Sequence, residues 1–422
     1  MKNSGYDWIG QVPDSWLVLP AQRGFTEIKR KNTDGAVQKA LQFKAGTIIP
    51  KVNFDADNDD YVAETITAYT VVEPGTVMIN GLNLNYDFKT QRSALVKERG
   101  VITSAYLALQ PDTVMITPEF ATYLFKGYET KMALHNMGSG IRLTLGWKEF
   151  KKQPVLFPPI QEQECIVRFL DRRCYEIDLV IAETQRSIEE YKKLKQSIIT
   201  EAVTKGVRGK RTMKDSGIEW IGMIPANWEI IQLKHLCDFK TGGTPPHNDG
   251  INFDNDGYQW VTASDMNETL KITDTEKYIT GESVNKCKYK LFPKDSILLA
   301  CIASVGKMGI TNKEVYSNQQ ITALKPYKDI VPLYLLYQLK SMEEKIVSDA
   351  QSNVVPIINT TYLRGLKCIL PSQKEQKEIA NYLDNKCSQI DSIIADKKKQ
   401  LELLEVYKKS LIYEYVTGKK QV

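Results

Sequence analysis

The chain is poor in the residues from which most catalytic and metal centres are built. Its three histidines (His135, His235, His247) and seven cysteines (Cys165, Cys174, Cys237, Cys287, Cys301, Cys368, Cys387) are scattered over 422 residues. They form no Cys-x-x-Cys and no histidine pair at metal-ligand spacing, which argues against structural zinc and against a disulfide framework. Small buried or half-buried thiols in a reducing compartment are the expectation instead. No apolar run approaches the roughly 20 residues of a membrane span. Met1 to Gly10 carries Lys2 and then polar residues where a secretory signal has its apolar core, so the expected compartment is the cytoplasm. A net charge of +5 permits a polyanionic partner without requiring one.

Motifs of catalysis are missing as well. Phe157-Pro158-Pro159-Ile160 lacks both the leading Asn or Asp and the closing aromatic of an amino-methyltransferase motif. Lys240-Thr-Gly-Gly-Thr-Pro-Pro246 is glycine-rich but has no Gly-Lys-Ser/Thr ending to cradle phosphates. Pro13-Asp14 and Pro111-Asp112 are followed by no convincing Glu-x-Lys of a nuclease core and read as turns. Three dispersed histidines support no Ser/His/Asp set. The expectation is a chain with no catalytic residue, no metal and no cofactor of its own.

What is present is repetition. Met1 to Trp16 recurs as Met213 to Trp228, with 9 of 16 positions identical at an offset of 212. Pro158-Pro-Ile-Gln-Glu-Gln163 recurs as Pro371-Ser-Gln-Lys-Glu-Gln376. After each, Ile166, Leu170, Asp171, Cys174, Ile177, Asp178, Ile181 and Ala182 return as Ile379, Leu383, Asp384, Cys387, Ile390, Asp391, Ile394 and Ala395. One unit of about 212 residues is used twice. Between the shared blocks the copies diverge, although Ser104 to Pro111 can be laid on Asn318 to Pro326 and Thr76 to Ile79 on Ser296 to Leu299. A constant frame with variable inserts suggests assembly in the frame and specificity in the inserts.

From about Glu162 to Thr204 apolar residues fall three, four or seven apart, the stripe of a helix that packs on another helix. Ile166, Leu170, Ile177, Ile181 and Ile188 are its expected core, matched in the second copy by Ile379, Leu383, Ile390, Ile394 and Leu401. Proline before the first turn and Glu-Gln within it are good N-terminal chemistry. A helix of about forty residues is about 60 Å long and cannot bury its stripe alone. The two copies can pair most simply as antiparallel helices about a pseudo-twofold axis; the alternative is pairing with another chain. If the halves are equivalent the end of the chain lies near its start, a circular organisation. The expected class is α+β: a recognition domain at 1–157, a long helix at 158–206, a linker at 207–212, a second recognition domain at 213–370 and a second helix at 371–422. Strands are expected at Thr76–Ile79, Ser296–Ala300 and Gln320–Leu324, and helices at Pro118–Met132 and Pro332–Lys345.

Candidate DNA contacts lie in the variable inserts, where amides, hydroxyls and cations interleave with aromatics. In the first they are Asn83, Asn85, Lys89, Gln91 and Arg92 in one run, Ser139, Arg142 and Thr144 in another, with Lys29 and Arg30 as phosphate contacts. In the second they are Lys240, Thr241, Gly242, Gly243 and Thr244, then Ser304 and Lys307, then Asn318, Gln319 and Gln320, then Ser352, Asn353, Asn359 and Thr360. Each of these residue types also serves as a solvated loop side chain or a turn cap.

Over essentially its whole length the sequence resembles the specificity subunits of Type I restriction-modification enzymes. The resemblance rests on the opening Lys-x-Ser-Gly-x-x-Trp-Ile-Gly-x-x-Pro-x-x-Trp, the Pro-Pro-x-x-Glu-Gln helix start and the alternation of variable and constant regions. Ser372 in place of a second proline is a small departure. The resemblance implies a non-catalytic subunit that reads a split, asymmetric sequence in double-stranded DNA, with half-sites about one helical turn apart. It also implies two methyltransferase subunits as partners, which use S-adenosylmethionine, and two restriction-translocase subunits, which use ATP and Mg. The rival readings are a scaffold for proteins or sugars and a self-sufficient methyltransferase.

Overall fold

Short runs of β-branched and aliphatic residues, each closed by turn residues, build a mainly antiparallel sheet in each half of the chain. A computed structural model describes residues 1–51, 65–86, 91–140, 143–245, 252–287, 289–350 and 355–422. It divides into two compact units, Met1–Thr184 with Gln400–Val422, and Gln185–Lys399.

In the first unit the strands are β1 (Phe25–Glu27), β2 (Val77–Ile79), β3 (Ser93–Leu95) and β4 (Leu107–Pro111), in the order β1-β4-β2-β3, all antiparallel. Helix α1 (Pro118–Glu129) follows, started by the Thr117 hydroxyl accepting from the Phe120 N–H and by proline in its first turn. A strand at Pro154–Phe157, paired with Leu17–Pro20, leads into the long helix α2 (Ile160–Lys205). Its Ile166, Leu170 and Ile177 share one core with Phe120 and Phe125 of α1 and with Leu411, Ile412 and Val416 near the chain's end; Ile181 packs at its margin.

The second unit repeats this order. Its strands are β5 (Cys237–Thr241), β6 (Lys271–Ile272), β7 (Ile297–Ala300), β8 (Met308–Thr311) and β9 (Ile321–Pro326), in the order β5-β9-β7-β8-β6, with only β6 and β8 parallel. Then come α3 (Pro332–Ser341), the pair Glu229–Gln232 with Lys367–Leu370, and the long helix α4 (Gln373–Val416). Strands β5, β9 and β7 occupy the places of β1, β4 and β2. Ile379 and Leu383 of α4 are buried with Ile199, Ala202 and Val203 of α2. Ile188, Ile390 and Ile394 are buried too, and Leu401 is half-buried.

The expected α+β class and the antiparallel helices are found. In the first unit Phe169 stacks on Tyr415 at 4.4 Å and Asp178 pairs with Lys408. In the second, Tyr191 lies under Lys397 and Lys195 pairs with Asp391. Numbers rise along one helix as they fall along the other. The end of the chain also meets its start: Tyr413 Oη donates to the Trp8 carbonyl at 3.2 Å, Lys419 Nζ to that of Ile9 at 2.7 Å. Gly418, at φ 68°, fits against Pro13 and Trp16, as Gly206, at φ 79°, fits against Trp228. Among the described residues no helix is long and apolar enough to cross a membrane.

Two ion pairs at equivalent places differ in burial. Lys195 and Asp391 are 11% and 20% exposed and meet at 2.6 Å, whereas Lys408 and Asp178 are 28% and 55% exposed at the same distance. Asp391→Asn strands a lysine in the interior and is expected to destabilise by about 3 kcal/mol. Asp178→Asn is expected to cost about 1 kcal/mol or less. Urea unfolding of the two variants measures the contrast.

Candidate nucleic-acid interface

Sheet order places the candidate segments. In the first unit β1 and β2 finish, and β4 begins, at one end of the sheet, because Glu27 pairs with Leu109 and Ile79 with Leu107. Lys29 and Arg30 therefore leave the same end as the loop from Asn80. Residues 143–145 join them: Leu84 N–H donates to the Leu143 carbonyl at 3.2 Å and Leu145 N–H to that of Gly81 at 2.9 Å. Ser139 and Thr144 exchange two reciprocal backbone bonds. In the second unit the equivalent end carries Lys240 and Thr241 at the end of β5 with Gly242 to Thr244 after them, Cys301 to Lys307 after β7 and Ser317 to Gln320 before β9. The segment near 356–358 is tied to them, since Ala303 N–H donates to the Pro356 carbonyl and Ile358 N–H to that of Cys301. In each unit residues distant in sequence meet on one surface.

Within that surface individual residues take different parts. Asn83, Lys29 and Arg30 are exposed, Lys29 beside Glu27 at 2.8 Å. Asn85 is half-buried, its Oδ1 meeting no donor among the described residues. Arg92 departs from the expectation of a DNA contact: it is 1% exposed and donates to the carbonyls of Asn80 and Leu82 at 3.1 and 2.8 Å. It holds the loop that carries Asn83. Gln91 lies away from the loop tip, over Gly46 and beside α1. Ser139 donates to Glu149 at 3.0 Å. Lys89, Arg142, Ser352 and Asn353 lie outside the described residues.

In the second unit Lys240, Thr241, Thr244, Lys307 and Gln319 are exposed, and Ser304 and Gln320 half-buried. Thr244 bonds to Gln319, and Lys307 Nζ donates to the Ala263 carbonyl at 3.2 Å. Asn318 is a second correction: it is buried, and its Oδ1 accepts from the Gln320 N–H at 3.1 Å, shaping the turn. Asn359 caps the helix Thr360–Gly365 by accepting from Tyr362 N–H at 2.8 Å, with Thr360 in its first turn. Gly242 and Gly243 are steric requirements, since a Cβ would stand 2.3 Å from the Asn318 carbonyl oxygen and 2.6 Å from the Tyr289 ring. Tyr86, an aromatic of the first candidate run, stands 76% exposed on the first loop.

One carboxyl braces the first loop from below. Glu129 at the end of α1 accepts from Arg92 N–H and Ser93 Oγ, both at 2.8 Å. Burial pushes it up to about 7 despite those donors. The folded state then holds this proton more tightly than the unfolded state does. The group's contribution to stability falls as pH rises from about 4.5 to about 7 and is level above. Glu129→Gln, which cannot ionise, is expected to gain on the wild type in melting temperature between about pH 5 and about pH 8. A parallel scan of both proteins reads the sign. Gly242→Ala is expected to push aside the 317–320 turn and weaken DNA binding about tenfold or more by filter binding, with the melting point little changed.

The chain is similar to known proteins in sequence and in fold. Residues 225–403 match the family model described as Type I restriction modification DNA specificity domain. The specificity subunit of the Type I restriction enzyme MjaVIII from Methanocaldococcus jannaschii is 24% identical over 428 residues, 98% of this chain and 94% of that one. The MjaIX specificity subunit of the same organism is 31% identical over 189 residues, and the match spans only 44% of this chain and 43% of that protein. A chain solved in work on complex assembly and conformational transition of the type I R-M system superposes with a TM-score of 0.75 at 15% identity, covering 97% of this chain and all of that one. The HsdS subunit from Thermoanaerobacter tengcongensis gives 0.50 at 17%, covering 97% and 98%. At such identities these two likenesses are of fold.

Proposed function

We infer that this chain is a Type I restriction-modification specificity subunit, the family it resembles in sequence and fold, and that it reads a split and asymmetric DNA sequence, one half with each variable domain. The observation that carries this reading is the repetition of one loop-bearing sheet end with different side chains. Lys29, Arg30, Asn83 and Tyr86 stand at one, and Lys240, Thr244, Lys307 and Gln319 at the other. Identical modules would read a palindrome; these would read two unlike half-sites. Exposed lysines and arginines supply affinity and salt dependence, and amides and hydroxyls supply base discrimination.

In this reading the chain itself performs no chemistry. Its constant helices hold two methyltransferase subunits, which bring S-adenosylmethionine, and through them two restriction-translocase subunits, which bring ATP and Mg. The assembly acts in the cytoplasm, on the cell's own DNA and on incoming DNA.

Long-read sequencing of a host genome carrying this chain with its methyltransferase partner tests the reading. The expected result is a new bipartite motif with modified adenine on both strands. Gln319→Ala is expected to relax or abolish one half of that motif only, a lost base contact being worth about 1–3 kcal/mol. Methyl transfer by the purified chain alone, or a palindromic motif, would sink the proposal.

A further inference from the structure

The two copies treat one crevice differently. In the second unit the end of α3 meets the long helices in a charge-balanced crevice. Lys340 pairs with Glu343, Lys345 with Asp349 at 2.8 Å, and Lys195 with Asp391. At an offset of 214, Pro118 falls on Pro332, Tyr123 on Tyr337, Lys126 on Lys340, Glu129 on Glu343 and Lys131 on Lys345. The first copy has kept the lysines, but one of their two acids is engaged elsewhere and the other is replaced. Glu129 is engaged by Arg92 N–H and Ser93 Oγ, and the place of Asp349 is taken by His135. Gln196, which donates to the Lys340 carbonyl at 3.4 Å, is replaced by Lys409, a third cation.

Lys126, Lys131 and Lys409 thus line a cavity of about 340 Å³ in the first unit, beside the Glu129 carboxyl that Arg92 and Ser93 engage and with Met132, Val406 and Tyr413 as its apolar members. Among the described residues none of the three ammonium groups has a carboxylate within ion-pair distance. Lys131 lies over the Tyr413 ring at 5.2 Å. Burial, and next the charge of Lys408, push Lys126 below the ordinary lysine range. An anion in the cavity would relieve both. The exposed Met132 and Val406 beside the cations suit a ligand with apolar as well as negative groups, which a bare phosphate lacks.

We propose that this crevice of the first unit is a receptor for an acidic segment of a partner protein, its carboxylates held by Lys126, Lys131 and Lys409 and an apolar side chain seated on Met132 and Val406. The second copy pairs its corresponding lysines internally with Glu343 and Asp349, so they have no charge left for such a segment to neutralise. The proposal uses none of the exposed loop residues assigned to DNA and stands whether or not that assignment holds.

The test uses the full chain and a fluorescein-labelled Glu-Leu-Glu-Glu-Leu-Glu peptide, followed by anisotropy at low salt. One equivalent is expected to bind. Lys126→Gln with Lys409→Gln should weaken it about tenfold or more, as expected for loss of two charge contacts. His135→Asp, which restores the carboxylate found in the second copy, should weaken it too, and Lys340→Gln should leave it unchanged. Lys409→Gln alone changes only an exposed side chain, so some loss there, with an unaltered melting curve, guards against misfolding of the double variant. Absence of saturable binding, equal binding by all variants, or displacement by inorganic phosphate or a short DNA duplex as readily as by unlabelled peptide would each overturn the proposal.

Discussion

A buried glutamine amide at the first turn of each long helix fixes the geometry on which the rest of the molecule depends. Gln163 accepts from the Thr117 N–H at 2.8 Å and donates to the carbonyls of Met115 and Pro158 at 2.9 and 2.8 Å. Gln376 accepts from the Val331 N–H at 2.9 Å and donates to the Pro371 carbonyl at 3.0 Å. Both side chains are essentially inaccessible. An amide buried without partners would cost on the order of 1–3 kcal/mol, so each must sit where its partners are. Those partners start α1 or α3 and end the strand before the long helix. The amide therefore ties the helix of the variable domain, the strand end and the long helix together, and two of its bonds recur in both copies, whose loops share little.

That clamp explains how the inserts could diverge. A loop hung from a sheet end changes the surface without touching the buried strands, and the strands need only remain aliphatic. β2 and β7, Val77–Ile79 and Ile297–Ala300, are wholly buried in both units. The frame tolerates change where the chain leaves the sheet, the place where a reader of nucleic acid needs it.

Much of this was legible in the sequence. Repeated spacing located both long helices to within a few residues, and the Pro-x-x-x-Glu-Gln block marked their starts, although only as helix-start chemistry. The glutamine's reach to a residue 46 positions back, Thr117, is a tertiary fact that no local pattern encodes. The strands were found as short aliphatic runs, but their order rests on non-local pairing. Arg92 and Asn318 were misjudged for one reason: a polar loop residue that organises its own backbone has the same identity as one that faces a ligand. The unbalanced lysines beside α1 were equally hidden. Lysine on a helix is ordinary, and only the position of Glu129 and the substitution at His135 show that one carboxylate is engaged elsewhere and the other replaced.

The two units also hold their loops by unlike means, which bears on how each would bind. In the first, the buried Arg92 guanidinium gathers the carbonyls of Asn80 and Leu82, while the Arg92 backbone N–H donates to Glu129 below. In the second, Gly242 and Gly243 let backbone press on backbone, with Gly243 N–H donating to the Ser317 carbonyl at 2.9 Å. Either device fixes a loop before its ligand arrives, so less ordering entropy opposes association. They differ in sensitivity. The Glu129 carboxyl beneath the first loop, pushed up to about 7 by burial, titrates near neutral pH, whereas the glycine contact is steric and carries no titratable group. A single duplicated frame therefore carries two loop-bearing surfaces that differ in the side chains they present and in the interactions that hold those loops.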